Sequence, residues 1–115
     1  MTDTPMIMHG GARRLPLRWV NADPAPARIS RYRVAVGETV SLHVHTGKAE
    51  YWVILRGTGT VRWGDSTIPV VEGDIVMTPP TIPHGLINTG CEELEFLNIV
   101  QPTGDGAITS TELET

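Results

Sequence analysis

Short runs of strand-forming residues, separated by glycine and proline, constrain this chain more than any other feature. From Leu15 onward, runs rich in Val, Ile, Leu, Thr and Trp recur every eight to twelve residues. The runs are Ile29–Val36, Val40–His45, Tyr51–Leu55, Thr60–Trp63, Ile68–Val71, Ile75–Thr78, Gly85–Ile87 and Leu94–Val100. No convincing helical period extends over eleven residues, and turn residues lie between the runs. The pattern therefore predicts an all-β sandwich or barrel.

Length and composition fit a single globular domain. The chain has 115 residues, of which 40% are hydrophobic and 19% are charged. These values are typical of globular proteins and allow one buried core. We expect a flexible or dimer-contacting arm over residues 1–14, a barrel over residues 15–102 and a loosely held polar tail over residues 103–115.

Charge and hydropathy argue against several classes of partner. The net charge is −4 and only Arg13 and Arg14 adjoin, so the chain lacks the basic patch that binds nucleic acid. Its apolar runs are far shorter than a membrane span, and residues 1–10 lack the pattern of a secretory signal. Cys91 is the single cysteine and cannot form an internal disulfide, which favours a reducing, cytoplasmic location.

Three histidines and one glutamate form the strongest candidate site. His43 and His45 are two residues apart on a predicted strand, so their side chains project from the same face. Glu50 follows a turn that contains Gly47, and His84 lies far along the chain. Three imidazoles and a carboxylate suit one divalent transition metal, and Fe, Mn, Ni, Cu, Co and Zn all stay open. A His-x-His pair alone is weak evidence because histidine also packs in cores.

Two spaced motifs enclose these four residues. The first motif reads Gly37-ETVSL-His43-Val44-His45-TGKA-Glu50-YWVILR-Gly57, and the second reads Gly73-DIVMT-Pro79-Pro80-Thr81-IP-His84-GLI-Asn88. Together they resemble the two motifs of the cupin superfamily, in the short spacing of its small single-domain members. Nine fixed positions match. The one departure is Thr81, which stands where the family usually has glycine.

The resemblance implies an antiparallel cupin β-barrel, also called a double-stranded β-helix or jelly roll, with a metal inside its mouth. The metal ligands implied by the family are His43, His45, Glu50 and His84, and all four are intact. Thr81 supplies no ligand in the family pattern. Because a non-glycine residue avoids positive φ, we expect a different type of turn at Thr81.

Strand alternation indicates which residues share the interior with these ligands. Side chains two residues apart on a strand face the same way, so residues at that spacing from the ligands are predicted to line the pocket. Phe96 from a later strand is added to this set. The predicted pocket residues are Ser41, Trp52, Ile54, Leu86 and Phe96. Core packing is favoured for Trp52 over a role as a wall that stacks on substrate.

Other candidate residues stay less well placed. The sequence does not show which residues of two further strands point inward. The choice is between Tyr32 and Arg33 on an earlier strand, and between Phe96 and Asn98 on a later one. His9 is interpreted as a bystander. Four arginines are interpreted as solvated surface residues, namely Arg31, Arg33, Arg56 and Arg62.

The leading functional hypothesis is a metal-dependent enzyme that acts on a small organic molecule. The resemblance to small cupin dioxygenases, together with few acid–base groups in the predicted pocket, favours an oxygen-using oxidoreductase. The alternative is a Lewis-acid isomerase, epimerase or lyase, for which Glu50 would be the catalytic base and Tyr32 or Tyr51 are the other candidates. A protein that binds metal or a small ligand without turnover is the third hypothesis.

A homodimer is the expected assembly. Tyr51, Val53 and Leu55 are predicted to point outward from the barrel, and apolar side chains in that position favour coverage by a partner. The alternating Leu15, Leu17 and Trp19 are expected to lie across that partner as an edge strand.

Overall fold

Antiparallel strands make up the regular structure of the computed structural model, which describes residues 4–114. The strands are β1 (Met6–Ile7), β2 (Arg13–Pro16), β3 (Arg28–Val34), β4 (Thr39–Thr46), β5 (Lys48–Arg56), β6 (Thr58–Trp63), β7 (Ser66–Val71), β8 (Ile75–Thr78), β9 (His84–Ile87), β10 (Leu94–Pro102) and β11 (Thr109–Glu112). Over this part of the chain, no helix is long and apolar enough to cross a membrane. The cytoplasmic location stays a prediction.

Two sheets enclose the core. The six-stranded sheet has the order β1-β2-β3-β10-β5-β8, and the five-stranded sheet has the order β11-β4-β9-β6-β7. Ile54 and Phe96 from the first sheet and Val61 and Leu86 from the second belong to one buried cluster, so the sheets pack face to face. The predicted all-β, antiparallel jelly-roll architecture is confirmed, with two sheets that are not closed into a continuous barrel.

The period-two pattern of β5 determines which of its residues face the core. Glu50, Trp52 and Ile54 are buried, whereas the intervening Tyr51 and Val53 are half-buried on the outer face. A fully buried Ile or Phe side chain contributes roughly 1.5–3 kcal/mol to folding. A one-residue slip in register would expose this inward set, so the alternation fixes which side chains line the interior.

Both ends of the described chain join the sheets. In β2, Arg14 lies opposite Tyr32, so part of the predicted arm extends the six-stranded sheet. The expectation of a loosely held tail is wrong for β11, which pairs with β4 and places Glu112 opposite His43. Glu114 also accepts a hydrogen bond from the Leu42 N–H at 2.8 Å. Backbone hydrogen bonds hold this edge strand, and a polar sequence can make them without an apolar pattern.

The expectation for Thr81 is also wrong. Its φ is 73°, in the left-handed region that the family glycine would occupy easily. The Thr81 N–H donates to the His45 carbonyl at 2.8 Å, which ties the loop before His84 to a strand that carries two candidate ligands. The loop geometry therefore requires positive φ even though threonine is poorly suited to it.

We expect Thr81→Gly to stabilise the protein, because glycine removes the steric cost of a β-branched residue at positive φ. Part of that gain is offset by the entropy of glycine in the unfolded chain, which leaves a net gain of about 0.5–1 kcal/mol in the free energy of unfolding. Urea denaturation measures this change. The matched control is Thr67→Gly on an exposed position of β7, which is expected to destabilise; a loss of stability in both variants would contradict the argument.

Candidate metal centre

Two paired strands of the five-stranded sheet and one strand of the six-stranded sheet bring the four predicted ligands together. His43 and His45 lie on β4, Glu50 lies on β5 and His84 begins β9. His84 is directly opposite His43 in the β4–β9 pair. One donor atom from each of the four side chains lies within 4.8 Å of the others. The convergence predicted for these residues is therefore present, within a single cluster.

The turn between β4 and β5 positions Glu50 beside the histidines. Gly47 has a φ of 75°, which L side chains rarely adopt. A Cβ at this position would lie 2.6 Å from the Ala107 carbonyl oxygen. Glycine thus permits a tight turn under the C-terminal segment, and the chain crosses from β4 in the five-stranded sheet to β5 in the six-stranded sheet with Glu50 buried.

Backbone hydrogen bonds fix the imidazole orientations. His43 Nδ1 lies 2.7 Å from the Ser41 carbonyl oxygen, and His84 Nδ1 lies 3.0 Å from the Ile82 carbonyl oxygen. Because a carbonyl only accepts, each Nδ1 carries the proton and each Nε2 presents a lone pair. His84 Nε2 is buried without a hydrogen-bond partner. This arrangement is the one that metal-binding histidines use, so the residues fit a bound metal.

Protonation states also favour metal binding. Burial alone would raise the pKa of Glu50, but the adjacent His45 and His84 imidazoles outweigh it and lower that pKa below its usual range. Burial, followed by the charge on His84, lowers the pKa of His43 to about 4. A carboxylate and a neutral imidazole are the ligating forms of these side chains. Near neutral pH, both groups are ready to bind a cation without losing a proton.

An aromatic layer lies beneath the cluster. Trp52 Nε1 donates to Glu50 Oε1 at 3.3 Å, and the Trp52 and His84 ring centroids are 5.4 Å apart. Phe96 packs against both Trp52 and Tyr32, with centroid distances of 5.0 and 4.8 Å. Trp52 therefore orients a ligand from the core side, which agrees with the preference for core packing.

A cavity of about 170 Å³ opens on the other side of the ligands. It is smaller than the roughly 300–1,000 Å³ typical of pockets for drug-sized molecules, so it fits a small metabolite. Of the five predicted pocket residues, only Ser41 lines this cavity. The other four lie in the buried cluster, namely Trp52, Ile54, Leu86 and Phe96.

Tyr32 faces the cavity. Of the two candidates on β3, it is therefore Tyr32 and not Arg33 that points inward. Its neighbour Arg33 points outward and lies 3.4 Å from Glu95. Burial raises the pKa of Tyr32, so its phenol is protonated near neutral pH. A protonated phenol is suited to donating a hydrogen bond and is a poor catalytic base.

Sequence reasoning missed most of the charged lining. The charged or titratable residues that line the cavity together with the ligands are Arg14, Arg28, Lys48, His9 and Glu112. The structure places His9 at the cavity wall, with its Nδ1 3.6 Å from Glu112 Oε1, and its interpretation as a bystander stays a prediction. The signal for Arg28 was present in β3, where alternate residues including Ser30, Tyr32 and Val34 are buried.

These features define a class of protein: a small antiparallel jelly roll with a buried cluster of three histidines and one glutamate, suited to one metal ion, beside a small polar cavity. Comparison with known proteins agrees. The family model described as "Cupin domain" matches residues 30–100, and the chain belongs to the cupin family.

Two curated relatives show how far the likeness extends. The "Oxalate-binding protein" of Thermotoga maritima is 34% identical over 71 residues, which are 62% of this chain and 59% of that protein. The "Mannose-1-phosphate guanylyltransferase RfbM" of Salmonella typhimurium is 34% identical over 70 residues, which are 61% of this chain and 15% of that protein. The matched segment thus spans less than two thirds of either relative.

Solved structures share the fold. A Thermotoga maritima protein described as "a predicted oxalate decarboxylase" is 30% identical, with a TM-score of 0.77 over 86% of this chain and 92% of that one. A "Cupin 2 conserved barrel domain protein" from Salinispora arenicola is 22% identical, with a TM-score of 0.73 over 90% of each chain. The second likeness shows the fold alone.

We expect the purified protein to bind one divalent transition metal per chain. His84→Ala should weaken metal affinity by on the order of 100-fold or more, because it removes a ligand whose orientation is already fixed. Elemental analysis after dialysis against Mn²⁺, Fe²⁺, Ni²⁺, Cu²⁺, Co²⁺ or Zn²⁺ measures stoichiometry. His9→Ala is the control, because His9 lines the cavity outside the cluster and its removal should leave the stoichiometry unchanged.

Proposed function

We propose that this cupin is a metal-dependent enzyme that acts on a small, oxygen-chelating organic molecule. The observation that carries the proposal is the placement of the His43, His45, Glu50 and His84 donors at the wall of an accessible cavity. These residues would hold one divalent metal. A bound metal of this kind supplies Lewis acidity and, for Fe, Cu or Ni, redox chemistry. The oxalate named for one relative is itself a small oxygen chelator.

An oxygen-using, dioxygenase-like reaction is the preferred chemistry. The protonated Tyr32 phenol can donate a hydrogen bond to a ligand oxygen, and Ser41 adds a second hydroxyl to the lining. The apolar layer of Trp52 and Phe96 keeps water from the core side of the ligands. These groups bind and orient a chelating molecule, and none of them is an obvious strong base.

A lyase or isomerase is the second candidate. It requires a proton relay within reach of the bound molecule, and the His9–Glu112 pair is an acid–base pair in the cavity lining. A solved cupin described as a predicted oxalate decarboxylase shares 30% identity with this chain. A ligand-binding protein without turnover is the third candidate, as the name of the Thermotoga maritima relative implies for that protein.

Oxygen consumption separates the three candidates. Protein loaded with Fe²⁺ is mixed with acetylacetone, a catechol or oxalate, and both oxygen uptake and product formation are followed with and without air. We expect turnover that requires oxygen and disappears in His84→Ala. Conversion without oxygen would instead support the lyase or isomerase, and binding of these compounds without conversion would support the third candidate.

We also propose that the protein forms a homodimer through the outer face of the six-stranded sheet. There Tyr51 and Val53 on β5 lie beside Ile99 and Leu97 on β10, and Tyr51 also lies beside Met77 on β8. These side chains form a continuous, partly exposed apolar surface, and such surfaces favour association.

Charge at the centre of that face should dissociate the dimer. Val53→Asp would place a carboxylate among apolar neighbours, so we expect sedimentation equilibrium to shift from about two chains to one. Thr67→Asp on the exposed β7 is the matched control and should keep the wild-type mass. A wild-type protein that sediments at the 12.5 kDa of a single chain over a wide concentration range would refute the dimer.

A further inference from the structure

Three cationic side chains occupy the inner face of the six-stranded sheet, beside the metal centre. Arg28 lies across Val100 from Glu50 in one cross-strand row of β3, β10 and β5. Neighbouring strands are about 4.8 Å apart, so the Arg28 backbone is about 10 Å from that of Glu50. Lys48 precedes Glu50 by two residues and faces the same way. Arg14 enters from β2 and completes the group.

The arginines in the cavity differ from most of those on the surface. Within residues 4–114, Arg14 and Arg28 form no ion pair with an acidic side chain, whereas five of the six other arginines, all but the exposed Arg18, each lie within 4.0 Å of a glutamate. The five are Arg13, Arg31, Arg33, Arg56 and Arg62. Arg14 Nε instead donates to Ser30 Oγ at 3.1 Å. This bond draws the guanidinium along β3 toward Arg28.

Two nearly buried polar side chains in the same cavity also lack adequate partners. Lys48 is 8% exposed, and its nearest carboxylate oxygen is Glu50 Oε2 at 4.0 Å, which also contacts His45 and His84. Asn98 is 7% exposed, and its Oδ1 has no hydrogen-bond partner among the residues that the structure describes. Buried polar groups are normally satisfied, so the cavity wall is built to bind a polar ligand.

The sign of the charge identifies that ligand. Apart from Glu50, the only acidic side chain that lines the described cavity is Glu112, and it lies beside His9. Two guanidinium groups and an ammonium therefore face the cavity against one remaining carboxylate. Guanidinium groups bind carboxylates through paired N–H donors in a fixed planar geometry. The Asn98 amide can add a further N–H to the same anion, because a half-turn about its Cβ–Cγ bond exchanges the positions of Oδ1 and Nδ2.

We propose that Arg14, Arg28 and Lys48 form an anion subsite next to the metal centre, and that the ligand of this cupin is a small dicarboxylate. One part of the dicarboxylate chelates the metal, and its remaining carboxylate oxygens bind the cationic group. The inference rests on the proposed function for the chelating end. Arg14 and Arg28 both lie outside residues 30–100, the segment that the family model matches, and Lys48 lies inside it, so the two guanidinium groups of the subsite come from this chain's own flanking strand and strand start.

Calorimetric titration with malonate and acetylacetone tests the subsite. Both compounds chelate through two oxygens separated by three carbons, but only malonate carries further carboxylate oxygens and a second negative charge. With Mn²⁺-loaded protein, the Arg14→Gln, Arg28→Gln double variant should bind malonate about 10-fold to 100-fold more weakly. Its affinity for acetylacetone and its metal stoichiometry should stay within twofold of wild type. Arg33→Gln, on the outward face of β3, is the control and should change neither affinity.

Two outcomes would overturn the subsite. One is a double variant that binds malonate as tightly as wild type does, and the other is an equal loss of malonate and acetylacetone affinity. Metal uptake is measured first, and a wild-type protein that takes up no metal contradicts the proposed function instead. In that case, malonate binding is measured on the metal-free protein. Binding there must still depend on Arg14 and Arg28.

Discussion

The rest of the structure depends on the contacts that the buried carboxylate of Glu50 makes. It is 4% exposed and contacts His45, His84 and the Trp52 indole. A carboxylate in such a position is tolerated only with charged or hydrogen-bonding partners. Removing one partner of a buried pair typically costs about 3–5 kcal/mol, a large fraction of the roughly 5–15 kcal/mol that stabilises a domain. The strands that deliver these partners are therefore held in one arrangement by the same contacts that prepare the metal ligands.

A gradient of polarity along two strands separates the site from the core. On β5 and β3 of the six-stranded sheet, the inward faces read from polar to apolar in the same direction, and β10 between them carries the polar Asn98 after Val100. The inward residues are Lys48, Glu50, Trp52 and Ile54 on β5, Val100, Asn98, Phe96 and Leu94 on β10, and Arg28, Ser30, Tyr32 and Val34 on β3. Because their registers align, the polar ends meet at the cavity and the apolar ends meet in the core. The cavity thus costs the fold little, since a complete hydrophobic cluster lies directly beneath it.

The sequence predicted those features that are encoded by spacing within one strand or one motif. The four ligands follow from motif spacing, and the inward direction of Trp52 and Ile54 follows from their parity with Glu50. Spacing does not reveal how far an inward residue lies from the cavity, which is why four predicted pocket residues lie in the core. It also does not reveal pairing between distant strands, so the position of Arg14 opposite Tyr32 could not be predicted from the sequence. The positive φ of Thr81 depends on a long-range bond to His45, which no local preference encodes.

The candidate metal ligands and much of the charged cavity wall lie in different parts of this chain. The four ligands and their aromatic support all fall within residues 30–100, which the family model matches. Much of the charged cavity wall comes from outside that segment, through Arg14 and Arg28 on one side and Glu112 on the other. A metal held by three histidines and a carboxylate accepts many oxygen chelators, so it discriminates poorly between them. In the proposed subsite, discrimination would come from Arg14 and Arg28 outside the matched segment, together with Lys48 inside it.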